Sequence, residues 1–491
     1  MKIQFELAQE SHSRHFTTII KELMHRGHRV ITTACTKDCP ALVERKVASG
    51  DHRKLMAFQA HIRNDEWGPL SYLLRASRDY LRYLTPEHVQ SMIIRDRIRN
   101  MLDSGLQEVD SEMGAEFRKV LDKFSSDSNA LSSIDKILEG IEQLIPPHPL
   151  MMNYLKNIAA DVFCVTPLIV TQYGQADLIK AAKAIGIPTV FLVGSWDNLT
   201  TKGTVHVQPD STLVWNEIQR QEASVFHNIP SEKVKVVGAA RFDEFWDRSI
   251  EEDRDFYCHQ FQFDPSRPII TYLGSSNLVS GDERPFVLKW INALRGSPSP
   301  LVATANILIR PHPKFSKGWR EYFLNIDGVA VNISKVPTVK ALNNDRDLYH
   351  CLAHSRAVVG ANTSAELEAA ILGRPVFTII DKELKTGQEG TIHFAYLAGQ
   401  LAKIGLTMDE HILHLQEELS LPDDCNRNHV FLENFLRPGG LDRRACEITA
   451  NAIECASSSF QRQGASEFKS LVGSPVWKDG WAARLFQRLL P

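Results

Sequence analysis

The sequence predicts an α/β protein made of two doubly wound parallel sheets. Three observations carry that expectation. Short apolar runs such as KIQFELA (2–8), ADVFCVTPLI (160–169) and IPTVFLV (187–193) alternate with segments of helical apolar spacing. Polar, hydroxyl-rich loops stand at the ends of those runs. The chain has 491 residues, more than one hydrophobic core holds, so two domains are the default.

The opening is a strand–loop–helix–strand unit. KIQFELA is a strand and QESHSRHF a polar loop. Phe16, Ile19, Ile20 and Leu23 fall at helical spacing, and Gly27 ends the helix. HRVITTA (28–34) is the next strand. Residues from about 40 to 150 read as a charged, helix-rich insertion. Within 44–99 there are 11 Lys/Arg against 7 Asp/Glu, mixed with aromatics. That segment is either a solvated helical face or a surface for peripheral contact with membrane headgroups or an anionic acceptor. The α/β rhythm returns near 158 and runs through STLVWN (211–216), NEIQRQEASVFHN (216–228) and EKVKVVGAARFDEFW (232–246). Residues 248–267 are charged and read as a linker. A second unit then repeats the pattern. Its strands are PIITYL, NILIR, GVAVNI, RAVVG and RPVFTII. The expected division is 1–247, a linker at 248–267, 268–440, and C-terminal helices over 441–491 that cross back to the first domain.

The totals exclude several classes. Apolar residues make up 43% and charged residues 23%, ordinary for a globular protein. A net charge of −3 gives no global attraction to nucleic acid. No apolar stretch nears the ~20 residues that span a bilayer. MKIQFELAQESHSRHF lacks a secretory apolar core. The eight cysteines are scattered, and Cys35 and Cys39 have no partners at metal-ligand spacing. The expectation is a cytoplasmic protein with no metal and no cofactor.

Doubly wound sheets bind ligands at the carboxyl ends of their strands. In the second unit, VVGANTSAELEAAILG places Thr363 and Ser364 before a helix, where either can cap it. Glu368 lies a turn further on and can accept the hydroxyls of a ribose. LIRPHPKF ends a strand with Arg310 and His312, a fork and a donor for phosphate. YLGSSN offers Ser275, Ser276 and Asn277 beside Gly274, where a phosphate can approach the backbone. Asp345 and Asp347 in DRDLY read as helix capping rather than a metal pair. His393 in EGTIHFAYL is either packed or in the cleft.

ILIRPHP, DRDLYHCLAHSRAVVGANTSAELEAAILGRPVF and VKVVGAARFDEFW resemble the blocks of the CDP-glycerol glycerophosphotransferase and capsule or teichoic-acid polymer transferase group. The resemblance covers roughly 160–380. It implies a GT-B fold, two Rossmann-like domains facing across a cleft, shared with nucleotide-sugar glycosyltransferases and UDP-N-acetylglucosamine 2-epimerases. It also implies Arg310, His312, Thr363 and Ser364 at the donor phosphates and Glu368 at the ribose. Arg241 and Asp243 match the family's turn between domains and read as a buried ion pair. The chain departs from the group in two places. Thr363-Ser364 stands where the group has a serine pair, and Glu368 where it has aspartate. Both favour a sugar over glycerol phosphate as the transferred group.

The first domain then binds the acceptor. In this architecture the loop after the first strand faces the cleft, which makes His15 a candidate base with His12 and Arg14 beside it. GSWDNLTTKG (194–203) matches the loop where the glycerophosphotransferases carry a proposed catalytic histidine after tryptophan. Asp197 occupies that position here and is the second candidate base. Trp196, Asn198 and Lys202 are expected to hold a glycan or lipid-linked acceptor. The leading expectation is a metal-independent glycosyltransferase. It would use a nucleotide-sugar donor in surface polysaccharide or glycoconjugate synthesis, at the inner face of the membrane. The alternatives are a CDP-glycerol glycerophosphotransferase, a UDP-sugar 2-epimerase and a non-catalytic nucleotide-sugar-binding protein.

Overall fold

The computed structural model describes residues 1–34, 43–46, 54–57, 63–88, 90–109, 119, 121–123, 127–169, 174–276, 280–333, 341–385, 387–423 and 427–458. Asn277, Cys35, Cys39 and the tail from 459 lie outside the described residues.

The two doubly wound sheets are present. The first has eight strands in the order β3-β4-β2-β1-β5-β6-β7-β8. They are β1 (Lys2–Leu7), β2 (Arg29–Ala34), β3 (Val43–Lys46), β4 (Lys54–Ala57), β5 (Val162–Thr166), β6 (Thr189–Leu192), β7 (Ser211–Val214) and β8 (Val234–Val236). Every pairing is parallel except β3 with β4. The second sheet has six parallel strands in the order β11-β10-β9-β12-β13-β14. They are β9 (Ile269–Leu273), β10 (Asn306–Arg310), β11 (Val329–Val331), β12 (Ala357–Gly360), β13 (Val376–Ile379) and β14 (Ala402–Gly405). β5, β9, β10, β12 and β13 are buried along their whole length. Helices cover both faces, which is why these strands read as continuous apolar runs rather than alternating ones. Strand order reverses between β1 and β5 in the first sheet and between β9 and β12 in the second. Those reversals are the switch points where such sheets take ligands.

Three expectations need correction. The segment 40–150 is not wholly helical, because β3 and β4 extend the first sheet. VERK and KLMA are only four residues each. VERK carries three charges, as edge strands tolerate, so neither shows an alternating pattern. Residues 248–267 are not a bare linker. They hold the helix Arg254–Gln260, capped by Asp253, whose Tyr257 and Cys258 pack with Ile269 and Leu308 of the second sheet.

The third correction concerns the basic face. The arginines of the insertion helix Gly68–Arg82 point inward, not to solvent. Arg75 is fully buried and holds Glu142 and Asp177, each at 2.7 Å. Lys180 joins the same Glu142 at 2.7 Å. Arg63 bonds Asp65 at 2.6 Å, and Arg78 bonds Asp135 at 2.8 Å. A buried guanidinium is retained only with carboxylates around it. These cations therefore pin the insertion to the helix Gly174–Ala184 and are not available to headgroups. No helix among the described residues is long and apolar enough to cross a membrane.

The two halves are joined in two ways. The helix Ala445–Ser458 packs into the first sheet, where Cys446, Ala450 and Ile453 share a core with Ile3, Phe5 and Ile20. Glu454 holds Arg26 at 3.0 Å and His28 at 2.7 Å. A second apolar cluster joins Trp196, Trp215 and Phe242 to Leu367, Leu397 and Phe435 across the boundary. The expected Arg241–Asp243 pair is absent. Asp243 instead bonds Arg437 at 2.6 Å and caps the last helix through the N–H groups of Ala445 and Cys446. Gly238 makes the approach of that helix feasible: its φ is +84°, and a Cβ would sit 2.9 Å from the Cβ of Ala445.

Candidate active site

The loops after β9, β10 and β12 meet at the second switch point. The N–H of Gly274 donates to the carbonyl of Arg310 at 2.9 Å. A Cβ on Gly274 would lie 3.1 Å from Pro311 Cα and 3.3 Å from His312 N, so glycine is what lets the two loops lie side by side. Ser275 is buried and its N–H donates to Glu283 at 3.1 Å. Its side chain bonds the same Glu283. Across the switch point, Asn362 is also buried. Its Nδ2 donates to Gly387, Thr391 and His393, while its Oδ1 has no partner among the described residues. Buried polar atoms are nearly always paired, so the Asn362 orphan stands out at a switch point where such sheets take ligands.

The residues around them behave as follows. Arg310 is buried at the end of β10. His312 is half-buried and its Nδ1 accepts the N–H of Lys314 at 3.2 Å. Burial, Lys314 and Arg14 lower its pKa to about 4, so it is neutral near pH 7. Ser364 makes no capping bond, which corrects that expectation. Its Oγ accepts from the indole N–H of Trp196 at 3.3 Å. Glu366 reaches back to the N–H of Thr363 at 3.2 Å. It fills the space that a Cβ on Gly360 would take, and burial, with Glu283 nearby, pushes its pKa up to about 8. Glu368 is half-buried. Burial raises its pKa to about 7, with Arg241, Arg14 and Arg310 opposing the shift and Asp345 adding to it. Asp345 is not a cap: it lies inside the helix Ala341–Ala353 and belongs to this same charged group.

The first sheet presents His12, Arg14 and His15 on the 3-10 turn Glu10–Phe16 that follows β1. The rings of His12 and His15 are 6.4 Å apart, and Arg14 Nε lies 3.5 Å from His15 Nε2. Burial, then Lys202, Arg14 and Lys314, lower His12 to about 4. Burial, then Arg241, Arg14, His12 and Lys202, hold His15 well below its usual value. Lys314 belongs to the second half, so its influence on His12 places the two sheets' loops face to face. Arg14, Lys202, Arg241 and Lys314 thus act on the imidazoles of His12 and His15, which are neutral near pH 7.

The loop GSWDNLTTKG differs most from expectation. Trp196 is buried between the halves, edge-on to His393 at 4.8 Å, and offers no open face to a sugar. Asn198 is buried and its Oδ1 accepts the N–H of Gly194 at 3.2 Å, so it shapes the turn. Asp197 accepts from Ser195 Oγ at 2.5 Å and Thr201 Oγ1 at 3.1 Å. Lys202, His393 and these hydroxyls outweigh burial and bring its pKa down to about 2. A carboxylate so stabilised is a poor proton acceptor. His393 is packed: it accepts from Asn362 at 3.2 Å and meets Thr200 at 3.5 Å. The insertion grips the loop from below. Arg82 donates to the carbonyls of Leu199, Lys202 and Gly203, Tyr83 to that of Lys202, and Asp79 accepts the N–H of Thr204 at 2.7 Å. Lys202 alone of the predicted acceptor residues on this loop turns its charge toward His12 and Asp197.

Sequence reasoning missed Lys314 and the Arg82 grip, and gave Arg241 and Asp345 other roles, an ion pair with Asp243 and a helix cap. Lys314 follows directly on RPHP at a strand end and was open to the same argument as His312. Arg82 carries no local signal, because its partners lie far along the chain. Among the described residues, no group of three or more His, Cys, Asp or Glu is placed to hold a metal.

No protein-family model and no curated protein matches the chain. Solved structures that resemble it include the UDP-GlcNAc 2-epimerase from Methanocaldococcus jannaschii. That structure is 10% identical, with 92% of this chain and 100% of that chain covered and a TM-score of 0.48. A glycosyltransferase from Rickettsia africae ESF-5 is 10% identical over 93% and 99%, with a TM-score of 0.49. WaaG, a glycosyltransferase involved in lipopolysaccharide biosynthesis, is 12% identical over 92% and 99%, with a TM-score of 0.43. At such scores the likeness assigns neither fold nor activity; the fold stands on the strand orders given above.

Proposed function

We propose that the chain is a glycosyltransferase that moves a sugar from a nucleoside-diphosphate sugar to an acceptor hydroxyl. One observation carries the reading. Asn362 Oδ1 is buried and unpartnered among the described residues, just past β12 at the β9/β12 switch point. Glu368 stands close by as a ribose acceptor, and Arg310, His312 and Lys314 as phosphate partners. The acceptor oxygen attacks the anomeric carbon as the bond from that carbon to the phosphate oxygen breaks. The hydroxyl proton passes to the neutral imidazole of His15. The departing diphosphate takes its charge to the cations of the cleft, which serve where a metal would otherwise serve. The resemblance of ILIRPHP and VKVVGAARFDEFW to the polymer-transferase group supports surface polysaccharide or glycoconjugate synthesis, on the cytoplasmic side of a membrane, as the setting.

A thermal-shift screen with UDP, CDP, GDP and CMP tests the reading. A ligand at about 100 times its Kd stabilises the fold by about 2.7 kcal/mol. We expect one nucleoside diphosphate to raise the Tm by several degrees. No response to any of the four would overturn a nucleotide donor.

A further inference from the structure

The arginines of this protein fall into two kinds. Arg63, Arg75, Arg78 and Arg437 each hold a carboxylate between 2.6 and 2.8 Å. Arg82 holds backbone carbonyls. Arg241 does neither. Its guanidinium is half-buried, 4.8 Å from the centre of the Phe242 ring, and makes no hydrogen bond or ion pair among the described residues. Arg14 has one contact, the 3.5 Å approach to His15. Arg241 and His15 line the same small cavity, about 20 Å³ in volume, beside Gly194.

What Arg241 faces is informative. Its foremost charged neighbour is Glu368 of the second half, followed on the acidic side by Asp345. Arg14 acts on the same two carboxyls and on His312. Phe242, next to Arg241, packs with Leu367, next to Glu368, so Arg241 stands at the boundary between the two halves. A guanidinium drawn partly out of water, with five N–H donors and no carboxylate within salt-bridge distance, calls for a ligand that completes it. A diphosphate has the matching charge and the geometry for a bidentate fork.

We infer that Arg241, seconded by Arg14, binds the diphosphate of the donor from the first half of the chain. The inference rests on the nucleotide-donor reading above. It adds a phosphate site on the half otherwise assigned to the acceptor. In this arrangement the guanidinium also stabilises the charge on the leaving diphosphate as the sugar departs.

Isothermal titration of the full chain with UDP, uridine and inorganic pyrophosphate tests it. Wild type is compared with Arg241→Gln, Arg241→Lys and Arg14→Gln, each first checked for an unchanged Tm. Arg241→Gln is expected to weaken UDP and pyrophosphate about 10- to 100-fold, the range for a charge-assisted hydrogen bond, and uridine less than twofold. Lysine should restore part of the loss, since it returns the charge but not the fork. Equal UDP affinity in wild type and Arg241→Gln would overturn the inference, as would an equal loss for uridine. Should wild type bind no UDP, the nucleotide that raises the Tm in the screen replaces it; if none does, the nucleotide reading fails and pyrophosphate decides alone. Pyrophosphate binding that weakens in Arg241→Gln keeps the anion site, and its absence in wild type removes it.

Discussion

Replacing His15 by alanine is expected to lower turnover about 10²- to 10⁴-fold, the usual contribution of a positioned base, with nucleotide affinity held within about twofold. The expectation follows from elimination by geometry. Asp197, the other candidate, spends its oxygens on Ser195 and Thr201 and is held ionised at about pKa 2. His393 is packed against Trp196 and bonded on both ring nitrogens. His15 stands beside Arg14 after the central strand β1, kept neutral by burial and the cations around it. An anionic donor bound among those cations would offset their effect and raise the basicity of the ring, so the base strengthens when the substrate is in place. Steady-state kinetics separates the outcomes. A kcat loss with KM for the donor unchanged supports the base, and full activity in His15→Ala removes it from the chemistry.

Arg75→Ala is expected to destabilise the protein by about 3–5 kcal/mol, the cost of removing one partner from a buried ion network. Glu142 and Asp177 would be left buried without the Arg75 guanidinium, with only Lys180 on Glu142 and Arg63, at 3.4 Å, on Asp177. The effect should spread to the active site. The helix Gly68–Arg82 that carries Arg75 also carries Asp79 and Arg82, which hold the backbone of 199–204. Hydrogen exchange read by mass spectrometry should show the insertion and the loop around Lys202 exchanging faster together. A change under about 0.5 kcal/mol by denaturant titration, or a loop whose exchange is unaltered, would contradict this linkage.

The sheets were legible because parallel strands buried on both faces read as uninterrupted apolar runs, and because glycines such as Gly27, Gly186 and Gly373 close the intervening helices. The convergence of the loops after β9, β10 and β12 was legible for a related reason. Strand ends in such sheets converge, so Ser275, Arg310, His312 and Glu368 could be placed near one another without knowing any distance. The first-half loops were harder to read. Composition shows what a loop contains but not which way its side chains turn. The indole, carboxylate and amide of residues 196–198 looked like a substrate-facing set, yet each is bonded or packed within the protein. Arginine in the insertion misled in the same way, since a buried ion pair and a basic surface have the same local sequence. The partners that distinguish them, Glu142 and Asp177, lie on other helices. Arg241 was mispaired with its neighbour Asp243 because proximity in sequence stood in for proximity in space, whereas Asp243 serves the last helix.

The claim on which the rest depends is that a nucleotide sits at the β9/β12 switch point with Glu368 at its ribose. Titration of wild type and Glu368→Ala with the nucleoside diphosphate that most raises the Tm tests that claim most directly. The account predicts at least about a tenfold loss of affinity in the variant, the scale of one lost charge-assisted hydrogen bond, with the apo Tm preserved. Equal affinity in the two proteins would contradict it and move the donor site elsewhere.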